Sequence, residues 1–204
     1  MVYSLVGVII VYLIASRTLN KGASLVDFLR LSREDTPNVF GNWLVIGITY
    51  VFIFSVFFSQ YIPIVPRFVV ENVRFHDYTL NKFGFLFVSL LCFYGVKGLL
   101  CYIFFKCSLS MKYWKYYIFH INKFFSLVIV LTCILTILEY FYPIDRFIAF
   151  DYYVYIFIGI GMGKIAYLLF NRHPTFPKEW YYKFLYLCTL QILPYFVIGK
   201  ILFF

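Results

Sequence analysis

Residues 83–105 read FGFLFVSLLCFYGVKGLLCYIFF, twenty-three consecutive positions whose one charge is Lys97. About 20 apolar residues in a helix cross a hydrocarbon core near 30 Å thick. This stretch is therefore expected to span a membrane with a cation inside it. Five further apolar stretches flank it, at residues 3–15, 43–65, 124–142, 147–170 and 181–204, and the fifth of the six carries Lys164. The chain is 63% hydrophobic and 13% charged, against roughly 25% charged in ordinary soluble domains. A soluble domain of 204 residues keeps too much surface to hide that much apolar sequence. The expected fold is all-α: a polytopic membrane helix bundle of about six transmembrane helices. Residues 1–204 form a single domain, with a cytoplasmic interfacial segment around 17–42.

Residues 3–15 are short for a span at about 1.5 Å of rise per residue, unless their ends sit at the interfaces. They lack a basic leader and a small-residue cleavage site, so a retained helix is expected rather than a signal peptide.

The net charge of +9 follows the loops. The first, third and fifth connections, with the adjoining helix ends, hold eleven Lys and Arg residues, including Arg17, Arg33, Lys106, Lys123 and Lys178. The second and fourth hold four: Arg67, Arg74, Lys82 and Arg146. Positive charge stays on the cytoplasmic side, which puts both termini outside. Nucleic acid is not an expected partner, because the basic residues track the membrane and form no separate patch.

The first loop mixes Leu25, Phe28 and Leu29 with Arg30 and Arg33, a pattern suited to a helix lying on an anionic leaflet. The loop 66–82 carries Phe68, Val69, Val70, Val73 and Phe75 and is expected to dip into the opposite interface. Trp43, Trp114 and Trp180, with tyrosines at segment ends, read as headgroup-level anchors. Five cysteines without a CxxC pair give no disulfide framework and behave as small apolar residues.

Chemistry has few candidates. The run GIGMGK, residues 159–164, resembles a phosphate loop only superficially, because Ile158 and Ile165 stand where the template requires Gly and Ser or Thr. Gly159 and Gly163 instead form a small-residue face, extended by Ala166, for close helix packing inside the chain or between chains. Lysine at a helix centre in lipid costs about 2.5–3.5 kcal/mol on insertion scales. Lys97 and Lys164, expected at similar depth in the inner half, therefore either snorkel to headgroups or share a basic pocket.

On the fourth stretch Asn122, Ser126, Cys133, Thr136 and Tyr140 recur at helical spacing, a polar stripe expected to face the bundle interior and bond neighbouring helices. His120 and Lys123 lie at its inner end. Glu139 lies near its outer end, where Lys200 is the expected ion-pair partner. Gln191 and Pro194 interrupt the last stretch, and proline there frees a backbone carbonyl. Three scattered histidines, without HxxH or HExxH spacing, offer no metal site. No cofactor is expected, no catalytic residue is assigned, and an enzyme is the less favoured reading.

The runs WYYKFLYLCTLQILPYFVIGKIL (180–202), FGFLFVSLLCFYGVKGLLCYIFF (83–105) and FHINKFFSLVIVL (119–131) resemble a family of small multi-spanning proteins of Bacteroidota, known chiefly as a domain of unknown function. LYLCTLQILP is the most specific part. The resemblance implies the inner membrane of a Gram-negative cell and a cell-envelope role such as assembly, export or lipid handling, and it supplies no reaction. Two functions stay open. The first is a non-catalytic subunit of an inner-membrane assembly, packed on other integral membrane proteins. The second is handling or translocation of an anionic lipid, such as a polyprenyl phosphate, by a basic intramembrane pocket of Lys97, Lys123, Lys164 and His120.

Overall fold

Asn81 starts the helix that holds Lys97. The Gly84 N–H donates to Asn81 Oδ1 at 2.7 Å, and the Phe85 N–H donates to the Asn81 carbonyl at 2.9 Å. The side chain thus satisfies one of the amides that a helix start leaves without a partner. The computed structural model describes Gly7, Ile9, Ile10 and residues 39–61, 74–75, 78–79, 81–108, 111–142, 145–170, 180–194 and 197.

Among the described residues the chain is helical apart from one two-residue pairing. The elements in order are α1 (Val39–Phe58), β1 (Arg74–Phe75) and β2 (Tyr78–Thr79), α2 (Lys82–Ser108), α3 (Met111–Phe141), α4 (Arg146–Phe170) and α5 (Trp180–Leu185). A π-helix, Tyr186–Ile192, continues α5 without a break. The strands pair antiparallel, Arg74 with Thr79 and Phe75 with Tyr78, inside the loop expected at the outer interface.

Four helices, α1 to α4, are long and apolar enough to cross a membrane. The expected first span lies outside the described residues except for Gly7, Ile9 and Ile10, and so does most of the segment around 17–42. Residues 39–42, assigned from sequence to that segment, belong to α1. The third connection is also shorter than expected, because residues 111–123 already form the first turns of α3. At 1.5 Å per residue the 31 residues of α3 are more than a core of about 30 Å requires.

Contacts between rings set the relative directions. Trp43 lies against Gly98, Tyr50 against Tyr94 and Phe52 against Phe83, so α1 and α2 run antiparallel. The Asn122 amide donates to the Val39 carbonyl at 3.2 Å and Tyr61 meets Glu139, so α3 runs parallel to α1. Phe57 packs on Tyr153 and Phe54 on Phe157, which sets α4 antiparallel to both. These directions are those of spans that alternate across a bilayer.

The outer faces are apolar. Along α2, Leu91, Val96, Leu99, Leu100 and Ile103 are exposed while Lys97 is buried. That is the arrangement lipid demands, with polar groups inside and hydrocarbon outside.

Candidate functional site

Lys97 and Lys164 meet inside the bundle. They come from α2 and α4, are 7% and 4% exposed, and line one cavity of about 200 Å³. Their burial separates the two alternatives left by the sequence: neither side chain runs out along the lipid-facing surface.

The local sequence explains how Lys97 is accommodated. Gly95 and Gly98 flank it in YGVKG. A Cβ at Gly98 would lie 3.2 Å from Trp43 Cζ2, tighter than an ordinary carbon contact. Glycine at 98 thus lets the tryptophan of α1 lie flat on α2. One turn further, a Cβ at Gly47 or Gly95 would meet nothing within 4 Å among the described residues. The space between those two glycines belongs to the cavity.

Lys97 Nζ donates to Gln191 Oε1 at 3.0 Å and lies 5.9 Å from the Phe93 ring centroid. The Gln191 amide donates to the Tyr186 hydroxyl. That hydroxyl donates to Tyr117 at 2.7 Å, and Tyr117 sits 3.5 Å from Cys101 Sγ. The π-helix makes the arrangement possible. Residues five apart lie about 140° apart around an α-helix of 3.6 residues per turn, but much closer to the same face when the bonding is i to i+5. Tyr186 and Gln191 consequently face α2 together. At the C-terminal end the Leu193 N–H donates to the Cys188 carbonyl, and Pro194 follows with no N–H to offer.

Lys164 is held differently. Its Nζ lies 5.2 Å from the Phe125 ring centroid and 5.7 Å from that of Phe124. Each cation–π contact is worth roughly 0.5–2 kcal/mol, more when desolvated. Among the described residues its Nζ has no hydrogen-bond acceptor and no carboxylate partner. No carboxylate is found among the described residues that line the cavity. Two lysines from different helices thus line one space whose described lining holds no carboxylate, an arrangement suited to holding an anion.

The remaining residues singled out from sequence are placed apart from the cavity lining. Lys123 is half-buried and stacks 4.6 Å from the Phe119 ring centroid. His120 is buried, its Nδ1 3.2 Å from the Tyr167 hydroxyl. In the polar stripe Asn122, Ser126, Cys133 and Thr136 are buried; Asn122 bonds across to Val39 of α1, whereas the Ser126 and Thr136 hydroxyls bond within α3. Ser126 donates to the Asn122 carbonyl at 2.9 Å, Thr132 to Val128 at 2.8 Å and Thr136 to Thr132 at 2.7 Å. A short hydroxyl reaches the carbonyl four residues back more readily than it reaches another helix. Glu139 Oε1 accepts from the Tyr61 hydroxyl at 2.6 Å; Lys200 lies outside the described residues.

Gly159 and Gly163 are exposed, and a Cβ on either meets nothing within 4 Å among the described residues. They make no close helix contact inside the described bundle. All five cysteines are free. Among the described residues no cluster of His, Cys, Asp or Glu has the grouping to hold a metal ion.

Sequence reading passed over the aromatic walls. Trp43 and Trp114, expected as interfacial anchors, line the cavity with Tyr50 and Tyr117. The available signal was the pair of glycines bracketing Lys97, which removes bulk beside a buried charge.

Residues 1–202 match a family described as a domain of unknown function (DUF4271). No curated protein and no solved structure matches the chain.

Proposed function

The chain belongs to that family, and from this premise we propose that it is a membrane protein that binds the anionic headgroup of a lipid between Lys97 and Lys164. The observation that carries the reading is the convergence of both lysines, from two helices, on one cavity whose described lining has no carboxylate. Retaining two cations in the bundle costs about 2.5–3.5 kcal/mol each on insertion scales, and a bound anion offsets that cost. The proposed setting is a bacterial inner membrane within the cell envelope, with six spans and both termini periplasmic. The loop charge asymmetry supports that orientation.

The test is the lipid that accompanies the purified chain. Lipid mass spectrometry of the wild type in mild detergent should find an anionic lipid. Lys97→Met and Lys164→Met, which keep the apolar stem and remove the charge, should each lose it while remaining monodisperse. Equal retention by both variants overturns the reading.

A second reading, a non-catalytic subunit packed on other integral membrane proteins, draws support from the outward-facing Gly159 and Gly163. Small residues on an outer helix face allow another helix to approach closely.

A further inference from the structure

The cavity is not closed on all sides. Leu44 and Ile48 of α1 and Leu91 and Gly95 of α2 line it and are also exposed. It therefore reaches the molecular surface between these two helices, midway along two stretches that are apolar enough to cross a membrane. In the proposed membrane setting the opening faces acyl chains.

Its frame is defined on both sides. At one end Trp43 packs on Gly98 and closes the helices together. At the other, the Tyr50 and Tyr94 hydroxyls lie 3.0 Å apart and Tyr50 stacks on Phe125 at 4.5 Å. Between them Gly47 and Gly95 present no side chain. From Trp43 to Tyr50 the helix rises about 10 Å at 1.5 Å per residue. The gap is thus a short slot with one glycine on each wall.

We infer that the occupant is a single-chain lipid phosphomonoester that enters sideways through this slot, its phosphate between Lys97 and Lys164 and its hydrocarbon chain leaving between Gly47 and Gly95. This rests on the proposed headgroup site and adds the class of lipid and its route. A phosphomonoester carries about −1.5 to −2 at neutral pH and presents three acceptor oxygens to the two lysine side chains that line the cavity.

Size selects the chain. The cavity of about 200 Å³ is smaller than the roughly 300–1,000 Å³ of sites that enclose drug-sized ligands. It takes a phosphate and the first few atoms behind it, so the rest of the lipid lies in the slot and the bilayer. In a diacyl lipid the chains branch at the glycerol next to the phosphate, which falls within the slot. A polyprenyl-type phosphate passes one chain through.

The experiment uses the full chain in detergent, freed of copurified lipid and shown to be monodisperse. Binding of farnesyl phosphate, farnesol, inorganic phosphate and dioleoyl phosphatidic acid is measured by native mass spectrometry and thermal shift. Farnesyl phosphate should bind about tenfold or more tightly than the other three, a difference well within what charge pairing and desolvation supply. Gly47→Leu and Gly95→Leu, tested separately, fill the slot and should each weaken farnesyl phosphate by a similar factor. Val96→Leu, on the exposed side of α2, should not.

Inorganic phosphate binding as tightly as farnesyl phosphate overturns the lipid class in favour of a free anion. Phosphatidic acid binding as tightly overturns the single-chain selection and leaves the headgroup site standing. Unchanged binding in both glycine variants overturns the route alone. If no anionic probe binds the wild type, the headgroup site itself falls. The comparison of four probes on the wild type decides the class even where a glycine variant does not fold.

Discussion

Lys97 Nζ donates to Gln191 Oε1 at 3.0 Å across 94 positions of chain, tying the middle of α2 to the π-helix near the C-terminal end. The bond joins the buried lysine to a relay that ends at Tyr117 and Cys101. It is therefore both a positional constraint on the lysine and a fastening of the last described helix.

Gln191→Leu removes the acceptor and leaves the cation buried. Hydrogen bonds to charged groups contribute about 1.5–3 kcal/mol, so a loss of that size is expected in reversible denaturation in detergent. Lys97→Met introduced into the Gln191→Leu chain should restore most of it, because the buried charge is then gone. Additive losses in the double variant would show that the two side chains are not coupled.

Tyr61→Phe tests a carboxylate of the bundle. Its hydroxyl donates to Glu139 Oε1 at 2.6 Å, and Glu139 Oε2 is buried without a hydrogen-bond partner among the described residues. Deleting the hydroxyl should lower stability by about 1–3 kcal/mol. Glu139→Gln in the Tyr61→Phe chain should recover part of it, since an amide is cheaper to bury than a carboxylate. The thermal midpoints of the three variants give the comparison.

Topology is tested by labelling. In a chain without its native cysteines, single cysteines at Arg33, Ser108 and Thr175 should resist an impermeant thiol reagent added to intact spheroplasts. Those at Asn72 and Asp145 should react. Reaction at Ser108 from outside would reverse the arrangement drawn from the loop charges.

Gly159→Ile and Gly163→Ile distinguish a partner surface from a lipid-facing one. Nothing within 4 Å of either Cβ position resists a side chain among the described residues, so the isolated chain should keep its thermal midpoint. If another integral protein packs there, the double variant should migrate faster on native gels of solubilised membranes. Unchanged migration would assign the face to lipid.

Much of the architecture is legible in residues 83–105 and their counterparts. Hydropathy adds up residue by residue along a helix, so length and apolar content alone mark α1 to α4 as long enough to cross a bilayer. The same additivity marks Lys97 and Lys164 as residues that are costly within lipid. Transfer energetics alone leave open whether they snorkel to headgroups or point inward. Boundaries were less legible. The basic first turns of α3 read as a loop because charge, and not helix propensity, dominated residues 111–123.

What each buried group touches was decided by the fold alone. Pairing across helices depends on how each helix is rotated about its axis, and helices that are apolar nearly all round carry little periodic signal for that rotation. Hence Ser126 and Thr136, readable as interior, were not readable as bonded to their own helix. Glu139 likewise gave no sign that Tyr61 would reach it. The π-helix adds a further turn-by-turn shift that a 3.6-residue pattern cannot encode. Pro194 announced a break, but the alignment of Gln191 with Tyr186, and with Lys97 on α2, exists only once i to i+5 bonding has rotated that segment. The sequence by itself determined a helical chain with stretches apolar enough to cross a membrane and a lysine within two of them; the tertiary structure decided that those lysines are buried and share one cavity, because only packing sets the rotation of α2 against α4.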